Sequence, residues 1–318
     1  MAEGARRRLA GACLTACLVL AGCAAGGALP GATTPADTPI TLKASDGTQI
    51  AAAQWAPRRH PRAVILALHG FGDYGPSTFA RAAEAWRKDG IATLAPDQRG
   101  FGRNPSRGQW PGADGLVADA RHFIGQARQR FPCTPVILLG HSMGGGVALA
   151  AAGGGPSADA LVLAAPAIWG GDRLNPIHRL AAWLAASVVP ERRISGRGVV
   201  RIQASDNVEA LRALGRDPLY LSPPSAREIF GLVRVTDRAE AAAPRVKLPP
   251  LMLLGGKDQI VPNSTVRRVF ATLNGPRKVI DYPDGWHLLF RDLQAERVWQ
   301  DVADWVLDVE RPACKAKR

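Results

Sequence analysis

A serine set between glycines, an aspartate after a short apolar run and a histidine in a later loop could together break an acyl bond, and this sequence holds all three in that order. The apolar run Val136–Leu139 leads straight into Gly140-His141-Ser142-Met143-Gly144-Gly145, and a helical pattern follows at once. This is G-x-S-x-G in the setting it needs. Glycines two residues either side of the serine let neighbouring backbone pass close to a sharp strand-to-helix turn, so that the hydroxyl stands clear of the sheet. A serine hydroxyl is a poor nucleophile near neutral pH unless a base takes its proton and a carboxylate holds that base in the correct tautomer. Where such an elbow occurs, the acid and then the histidine follow the serine along the chain. Gly255-Gly256-Lys257-Asp258-Gln259-Ile260-Val261-Pro262 puts Asp258 just after a buried run, and Asp284-Gly285-Trp286-His287-Leu288-Leu289 delivers His287 ahead of the last helical pattern. Ser142, Asp258 and His287 are therefore the candidate catalytic residues. Asp281 and Asp284 are rival acids, but they share one short stretch with His287 and read as a strand end and a turn. His141 is locked in the elbow, His60 and His178 lie in polar surroundings, and His122 falls on a helical pattern.

An acyl-transfer site also needs donors aimed at the oxygen that becomes negative, and losing one such donor typically costs about 10²–10³ in rate. His69-Gly70-Phe71-Gly72-Asp73 follows the third apolar run, where the Phe71 amide would supply one donor and the Met143 amide the other. The plain alternative is a glycine-rich turn. No spacing of cysteines marks a metal site.

These residues must be held by a sheet. Short apolar runs rich in β-branched residues alternate with helical patterns, which is the signature of parallel βαβ units and of an α/β fold with a mostly parallel sheet of eight strands. Residues 40–55, with Asp46-Gly47 between two alternating runs, predict a hairpin. Strands are expected at Ala63–Leu68, Ile91–Ala95, Val136–Leu139, Ala160–Ala164, Leu251–Leu254 and Lys278–Tyr282, and helices at Thr78–Lys88, Leu116–Arg130 and Gln294–Val309. Between Pro166 and Pro249 the alternation stops. Ile177, Leu180, Ala181, Leu184 and Val188 recur at helical spacing there, and Asp206 with Glu209 and Ser225 with Glu228 read as capping boxes. A helical lid over about residues 167–248, inserted between strands 6 and 7, is the expectation.

The 318 residues, 47% of them apolar, suffice for the core of one large domain, expected over 39–312. Ahead of it, Arg6, Arg7 and Arg8 precede an apolar run from Leu9 to Ala21 that is too short for a mature membrane span and reads as a secretory signal over 1–22. The run ends Leu20-Ala21-Gly22-Cys23, which resembles the lipobox of bacterial lipoproteins, so Cys23 is the expected lipid attachment site and 23–38 a flexible tether. Several acyl chains on one cysteine hold a protein on a membrane far more firmly than a single chain does. The expected location is the cell envelope, on the periplasmic or extracellular side. Cys133 and Cys314, the cysteines left in the domain, either pair or remain thiols. Net charge is +13, and +11 once three Arg and one Glu leave with residues 1–22. The arginines are scattered rather than interleaved with aromatics, which argues against nucleic acid and suits an anionic lipid surface or simply a solvated basic surface.

Taken with Asp97-Gln98-Arg99-Gly100-Phe101-Gly102, the motifs at His69–Gly72, Gly140–Gly145, Lys257-Asp258 and His287 resemble the monoacylglycerol lipase and lysophospholipase family of α/β-hydrolases, related to serine aminopeptidases of the S33 type, over about residues 40–310. The resemblance implies cofactor-free hydrolysis of a single-chain lipid ester, with the lid bordering the acyl channel. It implies a structural role for Arg99. Phe71 stands where relatives can carry a smaller residue. Trp169, Trp183, Leu180 and Leu184 either line that channel or pack the lid against the body. An acyltransferase or a peptidase would use the same triad, and a non-catalytic envelope lipoprotein could keep the fold alone.

Overall fold

Runs that are apolar on both faces of the pleat belong in the middle of a sheet covered by helices on either side. That is where they lie. The structure, a computed structural model, describes residues 37–154, 158–169, 175–195 and 202–310. The expected signal peptide, Cys23, almost all of the tether and Cys314 lie outside the described residues. Cys133 is disulfide-bonded.

Eight strands form one sheet: β1 (Thr38–Lys43), β2 (Gln49–Trp55), β3 (Ala63–Leu68), β4 (Ile91–Pro96), β5 (Val136–His141), β6 (Ala160–Ala164), β7 (Pro250–Gly255) and β8 (Lys278–Tyr282), in the order β1-β2-β4-β3-β5-β6-β7-β8. The hairpin β1–β2 is antiparallel, as is the pairing of β2 with β4, and every other pair is parallel. Among the described residues, five helices flank the sheet: α1 (Gly75–Lys88), α2 (Ala113–Arg130), α3 (Met143–Ala152), α7 (Asn263–Ala271) and α8 (Ala295–Leu307). Side chains alternate along β3 as the pleat demands. Ile65 and Ala67 join Phe79 and Trp86 of α1 and Val298 and Val302 of α8 in one core. Val64, Leu66 and Leu68 join Phe123 of α2 and Val147 of α3 in the other.

Helix α1 begins three residues before its expected start, because Pro76 sits in the first turn, where its fixed φ and missing N–H cost nothing. Strand β5 runs two residues past its apolar stretch, since Gly140 and His141 continue the ladder against Leu163 and Ala164. The elbow thus starts on paired backbone.

Strands β6 and β7 are neighbours, and the chain between them carries α4 (Pro176–Val188), α5 (Val208–Arg216) and α6 (Ala226–Ala242). Ser225 and Glu228 form the expected capping box at α6. The box expected at Asp206 and Glu209 is a correction: Asn207 caps α5 by accepting from the Ala210 amide, while Asp206 accepts from the distant Leu293 amide. The apolar row of α4 is not packed into the core, since no residue of that helix is buried. Ile177, Leu180, Trp183, Leu184 and Val188 are exposed, whereas Trp169 packs against the core. Helical spacing shows that a face exists, not what covers it. Among the described residues no helix is long and apolar enough to cross a membrane.

Candidate active site

The turn after β5 is forced by its glycines and strained at its serine. Ser142 adopts φ 52° and ψ −119°, a conformation that costs free energy for any residue with a Cβ. It is held from both sides, its amide donating to Ala164 O at 3.0 Å and its carbonyl accepting from the Ala167 amide at 2.9 Å. The hydroxyl lies 2.9 Å from Nε2 of His287, and Nδ1 of the same ring lies 2.8 Å from Oδ2 of Asp258. With the proton on Nδ1 donated to the carboxylate, Nε2 is free to accept from the serine. The three residues, far apart in sequence, meet at the carboxyl ends of β5, β7 and β8.

Asp258 is fixed as an acceptor. Its Oδ1 accepts from the amides of Ile260 at 2.8 Å and Val261 at 3.0 Å. Burial works to raise its pKa, but the hydrogen bond and charge of His287 and those two amides hold it below the ordinary carboxylate value. Asp281 and Asp284 pair instead with Arg267 and Lys257 at the surface. The acid loop and base loop are also tied together, Gly256 N donating to Tyr282 O and Lys257 N to Gly285 O, each at 2.8 Å.

His141 donates from Nε2 to the carbonyl of His287 at 2.9 Å, so the residue locked in the elbow bears directly on the backbone of the base. His69 accepts the Gln98 amide at Nε2, 2.8 Å, and Gln98 Nε2 donates back to the His69 carbonyl at 2.7 Å. That exchange pins the start of the loop carrying Phe71. The loop is anchored further by buried Asp73, which pairs with Arg291 at 2.6 Å and accepts from the Thr78 hydroxyl. Phe71 stacks edge-on against Phe101, ring centroids 5.4 Å apart. Met143 is the first residue of α3, so its amide has no partner within the helix. A Cβ on Gly70 would come 3.3 Å from Cβ of Ser142, which measures how closely loop and elbow approach. Arg99 reaches Asp46 and Asp119, away from these groups, a structural role.

Sequence reasoning missed the links that hold this loop, because Gln98, Asp73 and Arg291 carry no motif and meet only in the folded chain. It also missed the insertion's grip on the loop: Leu221 N donates to Gly72 O at 2.7 Å. A cavity of about 510 Å³ opens between α4, α6 and the start of α2, lined by Trp110, Trp183, Phe230 and Arg234 among others. Among the described residues no group of three or more His, Cys, Asp or Glu is placed to hold a metal ion.

Burial of two histidines in this site is expected to make the protein acid-sensitive. Burial, with the positive potential of His287, pushes His141 down to about 3, and burial lowers His69 as well. A histidine whose folded pKa lies below its unfolded one near 6.5 gives stability that is complete above pH 6.5 and is lost as pH falls toward the folded value, at up to about 1.4 kcal/mol per unit. The urea midpoint is expected to fall steadily from pH 7 to pH 4.5. Replacing His141 by Gln should flatten that slope; an unchanged slope would refute the assignment.

The sheet order and the elbow at the end of β5 are those of the α/β-hydrolase class. The family described as serine aminopeptidase, S33, matches residues 59–294, and the chain belongs to it. A monoacylglycerol lipase of Mycolicibacterium smegmatis is 28% identical over 270 residues, spanning 82% of this chain and 94% of that one. A monoglyceride lipase of Rattus norvegicus is 26% identical, spanning 83% and 89%. A soluble variant of the monoglyceride lipase of Saccharomyces cerevisiae, solved with a substrate analog, superposes with a TM-score of 0.71 at 22% identity, covering 88% of this chain and 97% of that one.

Proposed function

We propose that this protein is a serine hydrolase that cleaves single-chain lipid esters, monoacylglycerols first among them and lysophospholipids second. It would work at a membrane surface in the cell envelope, tethered through lipidated Cys23. The observation that carries the chemistry is the continuous relay from Ser142 through His287 to Asp258. In this reading His287 Nε2 takes the hydroxyl proton as Ser142 Oγ attacks the ester carbonyl, and the amides of Phe71 and Met143 receive the oxyanion. The imidazolium returns the proton to the leaving glycerol oxygen. Water then enters by the same route, and the acid is released from the acyl-enzyme.

The surface supports the substrate class. Among the described residues, nine of the twelve exposed large apolar side chains fall between Ile177 and Val208. Exposed apolar side chains so clustered along one stretch of chain suit contact with something apolar, and exposed Arg192 and Arg193 lie four and five residues beyond the end of α4. In this reading the insertion is a lid that faces the lipid. A second reading, peptide hydrolysis, is favoured only by the description of the family.

The test is release of fatty acid from 1-monooleoylglycerol in vesicles, beside lysophosphatidylcholine, a short p-nitrophenyl ester and an aminoacyl anilide. Monoacylglycerol turnover far above anilide turnover is expected; the reverse ranking would install the peptidase reading. Leu180→Asp with Leu184→Asp should cut turnover of the vesicle substrate at least about tenfold, since each buried leucine contributes roughly 1.5–3 kcal/mol. Turnover of the soluble ester should stay as in wild type. Equal loss on both would remove the lipid-facing role.

A further inference from the structure

His287 is held by more than its own loop. The residues on either side of it in the chain are each tied by a backbone amide: Trp286 N donates to Oδ2 of Asp292 at 2.7 Å, and Leu288 N donates to the carbonyl of Ala204 at 2.9 Å. Ala204 belongs to the insertion between β6 and β7, and so does Ser205. Its hydroxyl donates to the other oxygen of Asp292 at 2.6 Å and accepts the Asn207 amide at 3.1 Å. Asn207 Nδ2 donates to Arg291 O, and Asp206 receives the Leu293 amide. At its other end the segment reaches the acid, Gln203 N donating to the side chain of Gln259, the residue after Asp258. Residues 203–207 thus span both loops that carry the relay, with Ser205 0% and Asp292 2% exposed.

Two buried polar groups at such a junction need a reason, because each is costly unless its bonds are complete. Both oxygens of Asp292 are used, one on the base loop and one on the insertion. We propose that Ser205 and Asp292 are positioning residues for His287. Together they set the height and tilt of the imidazole by clamping the backbone at Trp286 to the strap 203–207, while touching no substrate. This rests on the serine-hydrolase reading above. Misplacing a reacting group by about 1 Å can cost on the order of a hundredfold in rate without loss of binding.

The experiment uses the full chain with Ser205→Ala and, separately, Asp292→Asn, assayed on p-nitrophenyl acetate. Each variant is expected to lose roughly tenfold to a hundredfold in kcat of the folded protein, with KM near the wild-type value and a lowered thermal midpoint, since a buried partner is left unpaired. The downfield imidazole proton shared by His287 and Asp258 should shift or broaden in the proton NMR spectrum. The double variant should lose little more than the worse single one, as expected when two residues act through one contact. Wild-type kcat with an unmoved proton resonance in either folded variant would overturn the proposal, as would a kcat that falls only with the folded fraction. If Asp292→Asn does not fold, Ser205→Ala decides alone, since it removes one hydroxyl. Should wild type itself be inert on every ester, the functional reading fails, and the imidazole resonance still decides the positioning claim.

Discussion

Ser142→Ala is expected to abolish ester hydrolysis, lowering kcat on the order of 10⁴–10⁶-fold, while the protein stays folded and still binds substrate. The argument is local. Alanine at φ 52° carries the same Cβ and the same backbone strain as serine, and both backbone groups of residue 142 keep their partners at Ala164 and Ala167. What disappears is the one atom that can bond to the acyl carbon. Asp258→Asn should lose about 10⁴ for another reason: an amide offers Nδ1 a donor as readily as an acceptor, so the ring is no longer held in the tautomer that leaves Nε2 open. The two losses should not add, because both act through the same relay. Stopped-flow assays on a p-nitrophenyl ester, with a fluorophosphonate label to count reactive serine, check all of this. A Ser142→Ala protein that hydrolysed at even a tenth of the wild-type rate would place the nucleophile elsewhere.

How much of this was legible beforehand follows from which interactions are local. Strands β3 and β6 lie where their apolar runs stand in the sequence, because a strand buried on both faces has no polar position to blur its ends. The relay was legible because chain order and strand-end placement narrow the candidates to a few residues, and the surface pairing of Asp281 and Asp284 leaves Asp258 against the base. The face of α4 was not legible, since periodicity names an apolar stripe and says nothing of its partner. Nor was the contact of Ser205 with Asp292, 87 residues apart, because neither sits in a motif and burial alone gives them meaning. The cap of α5 went to Asn207 rather than Asp206 through competition: Asp206 is drawn to the Leu293 amide, a tertiary contact that local pattern cannot weigh. These misses fall in the part of the insertion ahead of α6, where α4 and α5 have no buried residue, whereas α6 packs Val235 and Ala239 into the core beside α3.

Gly144→Ala should be nearly as damaging as loss of the nucleophile, though no reacting atom is removed. A Cβ at 144 would lie 2.1 Å from the carbonyl oxygen of Leu68 and 2.6 Å from that of His69, and both are backbone atoms at the end of β3 with no rotamer to yield. The partner glycine is equally confined, since a Cβ on Gly140 would meet the Gly144 carbonyl oxygen at 2.2 Å. Either the elbow must lift away from β3 or the loop carrying Phe71 must retreat, and each movement separates the Met143 amide from the Phe71 amide. Overpacking of this kind costs about 1–3 kcal/mol or more of stability, and a displaced oxyanion donor costs about 10²–10³ in rate. The expected result is therefore a lower unfolding midpoint together with a fall in kcat of at least about a hundredfold, with Ser142 still labelled slowly by a fluorophosphonate. Gly153→Ala serves as the comparison: its Cβ would meet Ala242 at the far end of α3, 2.6 Å from that side chain, and should lower stability while sparing the rate of the folded fraction. If Gly144→Ala cost stability alone, like Gly153→Ala, the close approach of elbow and loop would matter for folding only, and the oxyanion donors would have to be sought away from Phe71.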